Sequence, residues 1–572
     1  MCFVGTREIR CIRALHADAV INRTRPTGES CCPGPKALRE HARGRAQCCN
    51  VRGRCSSGSA TGDRRPARYT TGPDSALEEW PCTSRRGRGA HREPPPDGEG
   101  HGRNGLVPDA GSAAAPATHT QPEEADRLRE LLRRPAYQKA LVFSALIGVP
   151  VSLIAFWFLA GVHELENALW ADLPSELGWD TPPWWWPLPL LAVAGVAVAL
   201  VVKHLPGAGG HIPAVGLHAP GQGSSILPGV VLAAFASLPL GATLGPEAPL
   251  IALGSGLAVL FAQLVRAPVT PQSTPLLAAA GAASALPVIF GNPLVGAVIL
   301  IEVAGVGGPR LFAVMLPALL ASGIGSLVFT GFGRWTGLST GSLSLELGVP
   351  TPRLDAGDVL WSVLMAVAIG FAVHLIMNSG RLAAVFVSTR TIMRTTACAV
   401  AAGACAAVYT LVTDRSPADV ASSGQATLGQ LAQDPHSWGV GALIAVLLFK
   451  ATAYALCLGS LRGGPIFPAL FLGAAAGVLV APLPGLGVVP GLAAGMAAAS
   501  AAALRLPVSS ALLVVLIMGS AAMTPVVILS AVVAFVTVQL LPPGRAVPVP
   551  GQPAQPPPDR DSDAPGDRAE QT

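Results

Sequence analysis

The sequence predicts an all-α protein that crosses a membrane many times and is built from two like halves. Three observations carry this expectation. Of 572 residues, 51% are hydrophobic and 13% charged, a balance too apolar for a soluble chain of this length. Apolar runs of helical length recur from residue 141 to residue 541, many cut by Gly or Pro. The order of motifs in the first half then returns in the second, as in repeat-built channels and transporters.

Residues 1–120 are rich in Arg, Gly, Pro and Ser without a sustained hydrophobic period, and read as disordered. The composition changes near Val107-Pro108-Asp109, which carries the expectation that residues 1–106 are not translated; peptide mapping of the native N-terminus decides it. Eight of the 11 cysteines fall in this tail, but they form no paired CxxC framework, so no zinc is expected. The formal charge of +5 is spread over the tails with few interleaved aromatics, which argues against a nucleic-acid partner. Thr120-Gln121-Pro122-Glu123 makes a capping box, opening an amphipathic surface helix over 121–140.

The membrane part spans 141–541, its first repeat covering about 141–331 and its second about 355–541. The first crossing is 141–159; Trp184-Trp185-Trp186 forms an interfacial belt before the second, 188–202, closed by Lys203. Further apolar segments run over 225–242, 248–265, 274–287, 293–304, 311–330, 357–377, 392–412, 438–458, 467–481, 488–503, 508–520 and 525–541. Broken and unequal helices are tolerated in a bilayer only where buried in protein or lining a cavity. A Pro- and Asp-rich tail, 542–572, reads as disordered.

The repeat is visible in three places. Pro249-Leu250-Ile251-Ala252-Leu253-Gly254 matches Pro468-Ala469-Leu470-Phe471-Leu472-Gly473. Gly281-Ala282-Ala283-Ser284 is aligned with Ala497-Ala498-Ala499-Ser500. The eight residues from Pro293 match the eight from Pro507.

One charge interrupts the apolar run between Val231 and Val265: Glu247, within Gly245-Pro246-Glu247-Ala248-Pro249. An uncompensated carboxylate at that depth costs several kcal/mol, roughly 2.5–3.5 on insertion scales, so it marks a functional site by default. The glycine and prolines break one helix and start another, leaving Glu247 on the first turn of the second. The competing reading makes Glu247 only a helix cap.

Four motifs in order give the chain a resemblance to the CLC chloride channel and transporter family, in its prokaryotic form without CBS domains, over roughly 140–541. Gly245-Pro246-Glu247-Ala248-Pro249 resembles the family's Gly-(Lys/Arg)-Glu-Gly-Pro gating motif. Gly464-Pro465-Ile466-Phe467-Pro468 resembles its Gly-x-Phe-x-Pro motif. Gly209-Gly210-His211-Ile212-Pro213 stands where Gly-Ser-Gly-Ile-Pro is usual. The segment from Asn292 to Glu302 resembles the helix after the gate. The resemblance implies two inverted repeats, a homodimer in the cell membrane, and an anion held at opposed helix amino ends without a full cation. It gives Glu247 the gate and places anion contacts at Gly210, His211, Ile212, Gly245, Pro246, Ala248, Gly464, Ile466 and Phe467.

Departures from the family qualify what it implies. The anion-binding serine is replaced by Gly210, or by Ala208 if the register slips, and the family's central tyrosine has no counterpart after Tyr454. The antiporters' inner proton-transfer glutamate falls on Val303, which cannot ionise; its neighbour Glu302 reads as a structural carboxylate. His211 has two readings, titration near the pore's inner end or a hydrogen bond at a helix terminus. Lys450, in an apolar helix, and Arg462, before Gly463-Gly464, read as electrostatic attractors of the anion, against snorkelling to the interface.

These features lead to channel-like, passive movement of chloride or a similar small anion, gated by Glu247, with no cofactor or metal. The alternatives are a proton/chloride antiporter and a fluoride-handling variant. A membrane enzyme finds no Ser-His-Asp set, HExxH or phosphate loop in the core. A non-conducting scaffold or sensor stays open because two anion donors are missing.

Overall fold

Proline and glycine set the ends of the helices. A computed structural model describes residues 129–130, 132–217, 223–267, 273–305, 309–338, 345, 347 and 353–547. The readings of 1–120, of the capping box and of 548–572 lie outside the described residues. The first helix, α1 (Pro135–Asn167), starts at Pro135 because Arg134 is extended, with ψ 122°. Residues 135–140, assigned from sequence to the surface helix, therefore belong to the first crossing. A π turn, Ala168–Asp172, carries that crossing on to Glu176.

There follow α2 (Pro187–His204), α3 (Leu227–Ser237), α4 (Glu247–Leu264), α5 (Thr274–Ala285), α6 (Pro293–Ala304) and α7 (Pro309–Thr336). The second half holds α8 (Ala356–Ser388), α9 (Thr391–Thr413), α10 (Gln425–Gln433), α11 (Val440–Ser460), α12 (Ile466–Val480), α13 (Val488–Leu504), α14 (Pro507–Met518) and α15 (Thr524–Leu540). Among the described residues, 8 helices are long and apolar enough to cross a membrane, and shorter apolar helices pack between them. The protein is thus an all-α, multi-pass membrane protein.

The repeat is structural. α6 and α14 are each 12 residues long, each begins at a proline, and each ends at a left-handed glycine, Gly305 and Gly519. Proline at the first helical position gives up a donor that has no partner there, and glycine past the end takes positive φ at no steric cost. Side by side, α4 and α5 cross at Gly254 and Gly281, where a Cβ on Gly281 would lie 2.2 Å from the Gly254 carbonyl oxygen. In the second half, α12 and α13 cross at Gly473 and Gly495, where a Cβ on Gly495 would lie 2.0 Å from the Gly473 oxygen. Small residues let helices without a water-driven force between them approach to backbone contact.

This crossing corrects one alignment. Gly281 pairs structurally with Gly495, not with Ala497, because Gly254 faces Gly281 and Ala285 just as Gly473 faces Gly495 and Ala499. The serines Ser284 and Ser500 misled the register; both hydroxyls only bond back to carbonyls of their own helix.

Candidate functional site

The two halves meet backbone to backbone just before α4 and α12. Gly245 N–H donates to the Gly464 carbonyl at 2.8 Å, and Gly464 N–H donates to the Gly245 carbonyl at 2.6 Å, an antiparallel pair. Each glycine is followed by a proline and then by the first residue of a helix. Equivalent breaks of the two repeats are thereby pinned together, and two helix amino ends come to one place.

Glu247 lies there, on the first turn of α4, fully buried. Its Oε1 accepts a hydrogen bond from the backbone N–H of Ile466, the first residue of α12. The carboxylate therefore occupies the amino end of the opposite helix, where unpaired N–H groups and the helix dipole favour an anion. A Cβ on Gly464 would lie 2.1 Å from the Glu247 carboxyl carbon, and one on Gly245 would lie 2.0 Å from Oε2. Both glycines are required by this close approach, since neither has a positive φ. The second oxygen, Oε2, is buried with no hydrogen-bond partner among the described residues. An unpartnered buried carboxylate oxygen costs more than the roughly 1–3 kcal/mol of a neutral group.

Phe467 stacks on Phe290 beside the carboxylate, ring centroids 6.0 Å apart. Tyr454 is buried in α11 and its hydroxyl donates to the Pro465 carbonyl at 2.8 Å, one residue before the amide that holds Glu247. Sequence reasoning missed Tyr454 and Phe290. The signal available for Tyr454 was a lone phenol in an apolar helix, since a buried hydroxyl needs a partner. A cavity of about 410 Å³ comes up to Leu244 and Pro246 on either side of Gly245, its wall also including Glu166 and Ser422.

The segment around His211 does not supply a third helix end. Pro213–Val215 is a single 3-10 turn, and the next long helix begins only at Leu227. Gly207, Ala208, Gly209 and Gly210 all have positive φ, a run incompatible with a right-handed helix. Gly210 itself has φ 95°, and a Cβ there would meet Val230 at 3.1 Å. A serine at Gly210 would be strained, which accounts for the missing hydroxyl. Gly210, His211 and Ile212 are partly buried.

Arg462 is buried and does not snorkel to the interface, and its Nε donates to the Ala208 carbonyl at 3.2 Å, tying the glycine-rich loop to the segment before α12. Lys450 is fully buried and does not snorkel. Its Nζ donates to the carbonyls of Asp419, Val420, Ala421 and Ser422 at 3.0–3.3 Å, which anchors the loop before α10. Glu302 accepts from Val508 N–H at 3.0 Å and from Ser509 N–H at 2.7 Å, capping α14 across the repeat boundary. Val303 is partly buried and lines a separate cavity.

Residues 194–539 match the family model described as "Voltage gated chloride channel". Among curated proteins, "Putative ion-transport protein YfeO" of Salmonella choleraesuis (strain SC-B67) is 31% identical over 191 residues, which is 33% of this chain and 45% of that protein. Its counterpart in Salmonella newport (strain SL254) is 30% identical over the same share. The match thus spans less than half the length of these relatives. Among solved structures, a slow cyanobacterial Cl−/H+ antiporter superposes with a TM-score of 0.59 at 19% identity, covering 70% of this chain and 94% of that one. A CLC-type fluoride/proton antiporter gives 0.53 at 18% identity, covering 70% and 95%. At such identities the structures speak for the fold alone, two inverted repeats of broken helices. With most of its helical part inside the match, the chain belongs to the voltage-gated chloride channel, or CLC, family.

Proposed function

We propose that this protein moves chloride or a similar small anion across the membrane, in a channel-like, passive manner, with Glu247 as the gate. One observation carries the reading: the Glu247 carboxylate sits on the Ile466 amide, at a helix amino end, in the place an anion would take. Protonation or displacement by an anion releases the carboxylate, and the unpartnered Oε2 makes its hold weak. The anion contacts are Gly245, Pro246, Ala248, Gly464, Ile466 and Phe467, with Gly210, His211 and Ile212 further along the path.

The passive reading rests on Val303, which cannot carry a proton, and on Glu302, whose carboxylate is engaged at α14. The alternative, proton/anion antiport of chloride or fluoride, draws support from the antiporters whose fold this chain shares. A homodimer in the cell membrane accompanies either reading, and neither requires a metal or cofactor. Anion flux from liposomes with simultaneous proton recording, on wild type and Glu247→Gln, tests the reading. Passive movement gives flux with no stoichiometric proton pumping, and Glu247→Gln flattens its pH dependence. Flux whose pH profile is unchanged in Glu247→Gln would reduce Glu247 to a helix cap.

A further inference from the structure

We infer that the cavity beside Val303 is a second, side-chain anion site, held by the guanidinium groups of Arg381 and Arg505. The cavity measures about 230 Å³ and its wall also includes His374 and Asn378. That is room for one small anion with several waters. No carboxylate is among its described lining residues, so two guanidiniums share the wall without a counter-charge. Like charges facing one small space repel, and a monovalent anion between them relieves that cost.

The local geometry holds the two arginines at this wall. Arg381 lies near the end of α8 and donates from Nε to the Ala214 carbonyl at 3.2 Å, just beyond the loop carrying Gly210, His211 and Ile212. Its guanidinium nitrogen Nη1 packs against Gly544 of the segment after α15. Arg505 closes α13 with φ 58°, a left-handed cap that turns the chain sharply into Leu506. Arg505 remains exposed, so the cavity keeps an approach from water. Asn378 Nδ2 lies 2.8 Å from His374 Nε2. The nearest carboxylate along the chain is Glu302, next to Val303, and its oxygens are taken by Val508 N–H, Ser509 N–H and the Ser509 hydroxyl. The site thus binds anions at the position where the resemblance expects a proton-transfer glutamate.

The role of this site as a waypoint rests on the proposed anion transport; its binding of an anion does not. Crystals of the full chain grown in bromide should show an anomalous peak between the Arg381 and Arg505 guanidiniums, lost in Arg505→Gln. In liposomes, Arg505→Gln should raise the half-saturating anion concentration about fivefold, the loss of one charge at about 4 Å in water. Absence of bromide from this cavity in the wild type overturns the inference, as does a lipid phosphate filling it. If wild type carries no flux, the transport reading fails, and the bromide peak still decides the site.

Discussion

Glu247 draws its meaning from two residues without side chains. Gly245 and Gly464 pair through their backbones and leave a slot that the Glu247 carboxylate fills beside the Phe467 ring. A methyl group in that slot tests the arrangement. Gly464→Ala places a Cβ 2.1 Å from the Glu247 carboxyl carbon, so the carboxylate must leave the Ile466 amide. Its flux should lose pH dependence as Glu247→Gln does, and thermal unfolding in detergent should show a loss of about 1–3 kcal/mol. A wild-type pH profile in Gly464→Ala would mean that the carboxylate does not rest there. Lys450 makes the opposite kind of prediction. Because its ammonium serves four loop carbonyls, Lys450→Met should destabilise the fold by about 1–3 kcal/mol for each carbonyl left without water. A stable Lys450→Met with weakened anion affinity would instead favour a role in attracting the anion.

At the scale of helices, the close crossings hold each half together. Gly495→Ala drives a methyl into the Gly473 carbonyl and should separate α12 from α13, at about 1–3 kcal/mol of stability. Gly323→Ala, in α7 with nothing within 4 Å of its added Cβ, should be neutral or stabilise by up to about 1 kcal/mol. Comparing their unfolding temperatures checks the crossing; equal effects would deny it. Helix ends of this kind were legible from sequence. Pro293 and Pro507 open helices, and 293–304 and 488–503 came within one residue of the observed bounds, because proline and glycine act locally. The loop before His211 was legible as a break, since Pro206, Gly207, Gly209 and Gly210 punctuate it. Its four consecutive positive φ values, one of them at Ala208, were not. Likewise the carbonyl nest of Lys450 and the capping of α14 by Glu302 join residues far apart in sequence. The Ala-rich stretch at 497–500 has too little side-chain variety to fix a register, and the glycine contacts supplied it.

At the scale of the whole molecule, two inverted halves bring their broken helices to one buried point, with a larger cavity on one approach and an arginine-lined cavity beside Val303. The fold serves antiporters as readily as channels, so the choice between them rests on what can carry a proton. Here Val303 cannot, and Glu302 is bound to the amide and hydroxyl groups of α14. The most direct test of this account is the stoichiometry of purified protein in liposomes, with chloride flux and proton movement recorded together under an imposed chloride gradient. The account predicts chloride flux that runs down its gradient without stoichiometric proton counter-movement, in wild type and in Glu302→Gln alike. Sustained uphill proton movement driven by chloride, abolished by Glu302→Gln, would contradict it.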